Sequence, residues 1–340
     1  MTFGPVAGEE ANSMSLEAIF DKRIIFMTGK GGVGKTTLSV ALAWAAQERG
    51  KNVILMEVDN SPNLRYILGR DIPVYKETRV APRLSVFTLE PFKALEEYAA
   101  LQIKVAAAAR LFLNNRFVSY FMQAAPGWRE LVTVGKIWHT HQRTVGRGKN
   151  RRPEYDMIVV DAPATGHGLS FLRVPAIFAD ILKFGRMQSQ TNDLLDMLRD
   201  PERTVVNVVS LPEEMPLNEA VTLVNTAKSV MGMQVGVTFM NGVHPAPFLP
   251  DEKAACDNLL SDSCALETLG NIWPCGGKAL FDAAADRQAR AQSCRQYLDL
   301  AAERLPTPIV ELPYEYPGRV DMDGVKRLAC LITKALSGGA

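Results

Sequence analysis

Nine consecutive residues, Gly29-Lys30-Gly31-Gly32-Val33-Gly34-Lys35-Thr36-Thr37, combine four glycines with two lysines and two hydroxyls. Their spacing is G-x-x-x-x-G-K-[ST], a pattern that cradles a polyphosphate. Glycines let successive backbone N–H groups turn inward around an anion, and a following helix adds its N-terminal partial charge. On this pattern Lys35 reaches the β- and γ-phosphates and the Thr36 hydroxyl ligates magnesium. Gly29, Gly31, Gly32, Val33, Gly34, Lys35, Thr36 and Thr37 are thus candidate ATP-binding residues. Two carboxylates fit the same chemistry. Asp161 follows four apolar residues, as a magnesium-associated aspartate does, and Asp59 closes another apolar run, where it could orient the attacking water. A loop-capping role beside Asn60 and Pro62 competes for Asp59.

The flanking elements must hold these groups at one edge. Residues 23–28 read as a buried strand, and 35–49 as a helix stopped by Gly50. Asn52 to Asp59 is a second strand, followed by a loop through Asn60-Ser61-Pro62-Asn63. Residues 84–90 alternate like a short strand, and 91–145 turn helical, interrupted by Pro126-Gly127. Gly146 to Pro153 reads as an exposed connection in which Arg147, Lys149, Arg151 and Arg152 are solvated. Asp156 to Pro163 is the strongest buried strand, and a helical block covers 176–200. Strands over Thr204–Leu211 and Gln234–Asn241 flank a helix at 217–231; 251–304 is mostly helical, Thr307–Pro313 a last strand and 319–337 a closing helix. Alternating strands and helices imply an α/β fold with a mainly parallel sheet flanked by helices, and parallel sheets gather ligand groups at their C-terminal edge.

Composition narrows the partners. Balanced charge, 38 basic against 37 acidic residues for a net +1, speaks against nucleic acid or an anionic membrane surface as a ligand. With 47% apolar residues a substantial core can form, yet no apolar run is long enough to span a bilayer. Cys256, Cys264, Cys275, Cys294 and Cys330 contain no C-x-x-C pair, so a reducing cytoplasm is expected, with Cys256, Cys264 and Cys275 as buried or partly buried thiols. Residues 1–22 read as a loose leader without a secretory signal, and 23–340 as one domain.

The chain resembles the arsenite-pump ATPase (ArsA) family, which includes the ATPase that delivers tail-anchored membrane proteins and lies in a wider group with MinD, ParA and the nitrogenase iron protein. Lys30 to Thr37 matches the deviant phosphate loop of that group. Asp59-Asn60-Ser61-Pro62-Asn63-Leu64 resembles switch I, and Asp161-Ala162-Pro163-Ala164-Thr165-Gly166-His167 resembles switch II, whose Thr-Gly-His ending marks the ArsA branch. Leu211 to Ala220 resembles a proline-glutamate segment of the family, and Asn241 matches an asparagine that reads the adenine edge. The resemblance implies a phosphate-loop fold with an inserted helical subdomain, at about 91–150 and 176–202. It implies a homodimer using ATP and magnesium, in which Lys30 reaches the partner's phosphates and Gly166 senses the γ-phosphate. From pattern alone Lys30 is equally a solvated loop lysine.

Three purposes are compatible with the resemblance: membrane-protein targeting or another client-binding role, energising an arsenite, antimonite or other anion pump, and MinD- or ParA-like positioning. Leu111, Phe112, Leu113, Phe117, Tyr120, Phe121, Met122, Ile181, Leu182, Phe184, Met187, Leu194, Leu195 and Met197 could line a groove for a hydrophobic helix, or simply pack the helices together. Gly168 to Asp180 contains no cysteine, which counts against a metalloid site there, and the irregular cysteine spacing predicts no zinc site. The tail Asp321–Ala340 lacks the strongly basic face a positioning ATPase would need.

Overall fold

Ile24–Gly29 (β1) and Met157–Asp161 (β7) are buried at every position. Such uniformly apolar runs require cover on both faces, and they lie side by side in the middle of a sheet. The computed structural model describes residues 16–103, 127–163, 169–181, 185–248, 250–272, 277–315 and 320–337. Val53–Glu57 (β2), Thr78–Ala81 (β3), Leu84–Thr88 (β4), Thr204–Ser210 (β8), Val235–Val243 (β9) and Ile309–Pro313 (β10) complete an 8-stranded sheet, ordered β10-β9-β8-β1-β7-β2-β4-β3. All neighbours pair in parallel except β3 with β4, so the expected fold class holds. Thr144–Val145 (β5) and Arg152–Pro153 (β6) form a separate small antiparallel ladder inside the basic connection, whose four basic residues are exposed.

Side-chain alternation divides the core. Ile25, Met27, Leu55 and Val159 face Lys35–Glu48 (α1), Pro62–Leu68 (α2) and the closing helix; Ile24, Phe26, Ile54 and Val160 face the opposite layer. Helix α1 buries Leu38, Val40, Ala41, Leu42, Ala43, Ala45 and Ala46, which surround much of its circumference. That is consistent with its position, packed on one side against the sheet and on the other against the closing helix.

Helices Pro91–Ile103 (α3), Trp128–Gln142 (α4), Ser170–Ile181 (α5), Arg186–Arg199 (α6) and Glu214–Asn225 (α7) follow. Beyond them come Pro250–Ser261 (α8), Ser263–Ile272 (α9), Gly277–Arg304 (α10) and Met322–Leu336 (α11). The expected helical block at 176–200 starts earlier, at Ser170, and is two helices, the second entered through Gly185 at φ +94°. A π turn over Thr226–Val230 extends α7.

Several expectations are revised. Leu16–Asp21, read as part of a loose leader, forms a 3-10 turn with Ile19 and Phe20 buried in the core and the Arg49 guanidinium over the Phe20 ring. Leu194 and Met197, named as groove candidates, are buried under the sheet because α6 turns that face inward. Leu111, Phe112, Leu113, Phe117, Tyr120, Phe121, Met122, Leu182 and Phe184 lie outside the described residues, as does the side chain of Ile181. Cys264, expected buried or partly buried, is exposed on α9, while Cys275 and the side chain of Cys256 lie outside the described residues; Cys294 is buried and Cys330 exposed.

Candidate functional site

The parallel strands deliver the predicted residues to one edge. Gly29 ends β1 at φ +151°, where a Cβ would overlap the Val209 carbonyl oxygen of β8. Only glycine allows the loop to leave the sheet so closely. Gly34 caps α1 at φ +94°, and a Cβ there would strike the Asn241 amide. Asn241, near the end of β9, donates through Nδ2 to the Val33 carbonyl at 2.9 Å, so one side of the loop is pinned by the sheet. Lys35 is buried at the start of α1, and its ammonium donates to the Lys30 carbonyl at 2.9 Å across the loop. Burial lowers the Lys35 pKa, while Asp161, Asp59 and Glu219 act against that shift. Lys30 itself is partly exposed at the loop's outer turn.

Asp161, only 5% exposed, ends β7 directly opposite α1. Thr36 Oγ1 donates to its Oδ2 at 2.7 Å and Ser39 Oγ to its Oδ1 at 3.1 Å. Ser39 was not among the predicted site residues, although its place three positions after Thr36 puts both hydroxyls on one helix face. Burial pushes the Asp161 carboxyl up to about 6, against the bonds from Thr36 and Ser39 and the charge of Lys35. The donor set is hard oxygen, a hydroxyl and a carboxylate 2.7 Å apart, which suits magnesium sharing the rest of its shell with water and phosphate. A cation there would also relieve the cost of ionising a buried carboxyl.

Asp59 stands differently from expectation. The strand stops at Glu57, so Asp59 lies in the exposed loop beyond it. Glu57 is the last residue of β2 with Cα partners on both sides, Thr88 and Asp161. It was not predicted, yet it is 2% exposed and points to the same face as Asp161. Oε2 accepts from Thr88 Oγ1 and Oε1 from the Ser61 N–H, both at 2.8 Å. Gly166 lies outside the described residues, within 164–168.

Burial raises the Glu57 carboxyl from 4.5 to about 7, with the charge of Asp161 adding and the bonds from Thr88 and Ser61 opposing. The folded chain therefore retains a proton that the unfolded chain releases between those values. Stability falls as pH rises through that window, by roughly 3 kcal/mol for this group alone. Glu57→Gln should thus gain on the wild type in melting temperature between pH 4.5 and 7.5. A gap that stays constant over that range would show that this carboxyl titrates normally.

Residues 22–197 match the family model of the anion-transporting ATPases. The chain belongs to the ArsA family of anion-transporting ATPases. Its relatives include the ATPase BagA of Mycobacterium tuberculosis, 29% identical over 318 residues that cover 90% of this chain and 91% of that one. The ATPase GET3 of Pyricularia oryzae is 29% identical over 62% of this chain and 63% of its own. The arsenical pump-driving ATPase of Escherichia coli is 25% identical over 69% of this chain and 41% of its own. This ArsA-family ATPase binds and hydrolyses ATP. Among its described residues no helix is long and apolar enough to cross a membrane.

Proposed function

We propose that the chain is a homodimeric switch that closes on ATP, reopens on hydrolysis, and couples that cycle to binding of a hydrophobic helical client. The loop amides of Gly31 to Thr37 and the Lys35 ammonium hold the phosphates. Thr36 and Asp161 hold magnesium, which would offset phosphate charge as the bond to the leaving group breaks. Asp59 orients the attacking water, Lys30 neutralises charge from the other subunit, Gly166 follows the γ-phosphate, and Asn241 meets the base. The Thr36–Asp161 contact at 2.7 Å is the observation that best supports this assignment, because it joins the loop to the strand that leads into switch II.

A second feature supports the client. Helix α5 starts at Ser170, nine residues after Asp161 in the chain, which places a helical element close in sequence to the carboxylate for a nucleotide-dependent change to act on. Between α5, α6 and the π turn lies a cleft of about 180 Å³ whose lining mixes apolar side chains such as Ile177, Leu195 and Val230 with the charged Arg173, Asp180 and Arg199. Ile177 is 52% exposed and Met187, on α6, 50%. Both present apolar surface that a helix could cover. The name of one relative, an arsenical pump-driving ATPase, keeps an anion pump as the alternative.

Asp59→Asn protein loaded with ATP tests the reading. Gel filtration and fluorescence anisotropy should show a dimer that retains a labelled transmembrane-helix peptide, which the ADP form releases. A dimer that forms on ATP without retaining the peptide would exclude the client. Turnover of the wild-type protein stimulated by arsenite or antimonite would favour the pump.

A further inference from the structure

We infer that Glu57 is a positioning residue for hydrolysis, bracing through the Ser61 amide the loop that carries Asp59. This rests on the assignment of Asp59 to the attacking water, and it goes beyond that assignment by naming what fixes the loop. Val53, Leu55 and Glu57 share one face of β2, where the first two pack beneath α1 and the third accepts hydrogen bonds from Ser61 and Thr88. Thr88, Glu57 and Asp161 are neighbours across three parallel strands, and Thr36 and Ser39 continue this polar row onto α1.

The contact with Thr88 is internal to the sheet, whereas the contact with Ser61 spans the loop. Ser61 is the N-cap of α2, and its hydroxyl accepts from the Asn63 N–H at 3.2 Å. At the other end of the loop, the Val58 N–H still reaches the Asp161 carbonyl at 3.3 Å. The loop that carries Asp59 and Asn60 thus has a fixed point at each end, and the Glu57 contact with the Ser61 N–H supplies one of them. Within it Asn60 takes φ +48°, a left-handed conformation that asparagine tolerates, and its Oδ1 accepts from Arg65 at 3.2 Å. An aliphatic residue at 57 would complete the apolar face of β2 but leave the Ser61 N–H and the Thr88 hydroxyl without this acceptor. A buried carboxyl group is a costly choice at a strand end, and its two acceptor contacts offset that cost.

Glu57→Ala, Glu57→Met and Glu57→Gln, each made in the wild-type and Asp59→Asn backgrounds, test the brace through kcat and the Kd for ATP. Alanine and methionine should lower kcat about tenfold or more while the Kd for ATP changes less than about threefold. Methionine fills the strand position, so agreement of the two separates a lost acceptor from a cavity. Glutamine, whose carbonyl oxygen still accepts from Ser61, should restore kcat to within about threefold of the wild type. In the Asp59→Asn background the alanine and methionine changes should add no further loss. Wild-type kcat in both apolar variants would overturn the brace. So would an undiminished loss in the Asp59→Asn background, or an affinity loss as large as the loss in kcat. Failure of the Asp59 assignment would be seen separately, as wild-type hydrolysis by Asp59→Asn alone.

Discussion

Lys35→Ala is expected to lower ATP turnover by about 10³-fold or more, below detection in a steady-state phosphate-release assay. The ammonium is buried where the loop turns into α1, and Asp161, Asp59 and Glu219 keep it charged against the cost of burial. Its contact with the Lys30 carbonyl spans the loop, so on the proposed assignment the same group shapes the cradle and supplies the charge. Both roles disappear with alanine. Lys35→Arg should rescue little, because a planar guanidinium cannot occupy the space of a compact ammonium inside a loop this closely packed against β8 and Asn241. A fluorescent ATP analogue separates the effects: nucleotide affinity should fall together with turnover, since the charge acts on bound phosphate as well as on the transition state. Wild-type turnover in Lys35→Ala would remove the loop from the chemistry.

The loop was legible in the sequence because its spacing, with Gly29, Gly34, Lys35 and Thr36 between an apolar run and a helical stretch, is one that phosphate binding requires. Asp161 was legible for a similar reason, as the first charge after a run that must be buried on both faces. Helix α2 was missed although its signal was present. Ser61-Pro62 is an N-cap followed by proline at the first helical position, but Asn60 and Pro62 together read as a loop. Strand β3 left little trace, because an exposed edge segment paired on one side needs no apolar alternation. Glu57 was hidden by its neighbours. In Met56-Glu57-Val58-Asp59 the eye stops at the second carboxylate, and only the period of two from Val53 and Leu55 shows that the first points inward. What could not be read locally were contacts made by tertiary pairing, such as Asn241 with Val33.

Asp59→Asn is expected to leave ATP binding nearly intact and to slow hydrolysis by about 10²-fold. Asparagine preserves the size of the side chain and its place in the loop, but its amide lacks the negative charge that draws a water proton and aligns the oxygen with the γ-phosphate. Asp59 is exposed, in a loop anchored at Val58 by the sheet and at Ser61 by Glu57 and the α2 cap, so the substitution should not disturb the fold. It also removes one of the charges acting on Lys35, and because Asp161 and Glu219 continue to act on the ammonium, affinity for ATP should change little. Single-turnover hydrolysis measured beside equilibrium nucleotide binding gives both quantities. The slow variant should accumulate the ATP-bound dimer, which makes it the form in which to look for a client. Wild-type single-turnover rates would place the water under another group and would leave the Glu57 brace without a residue to position.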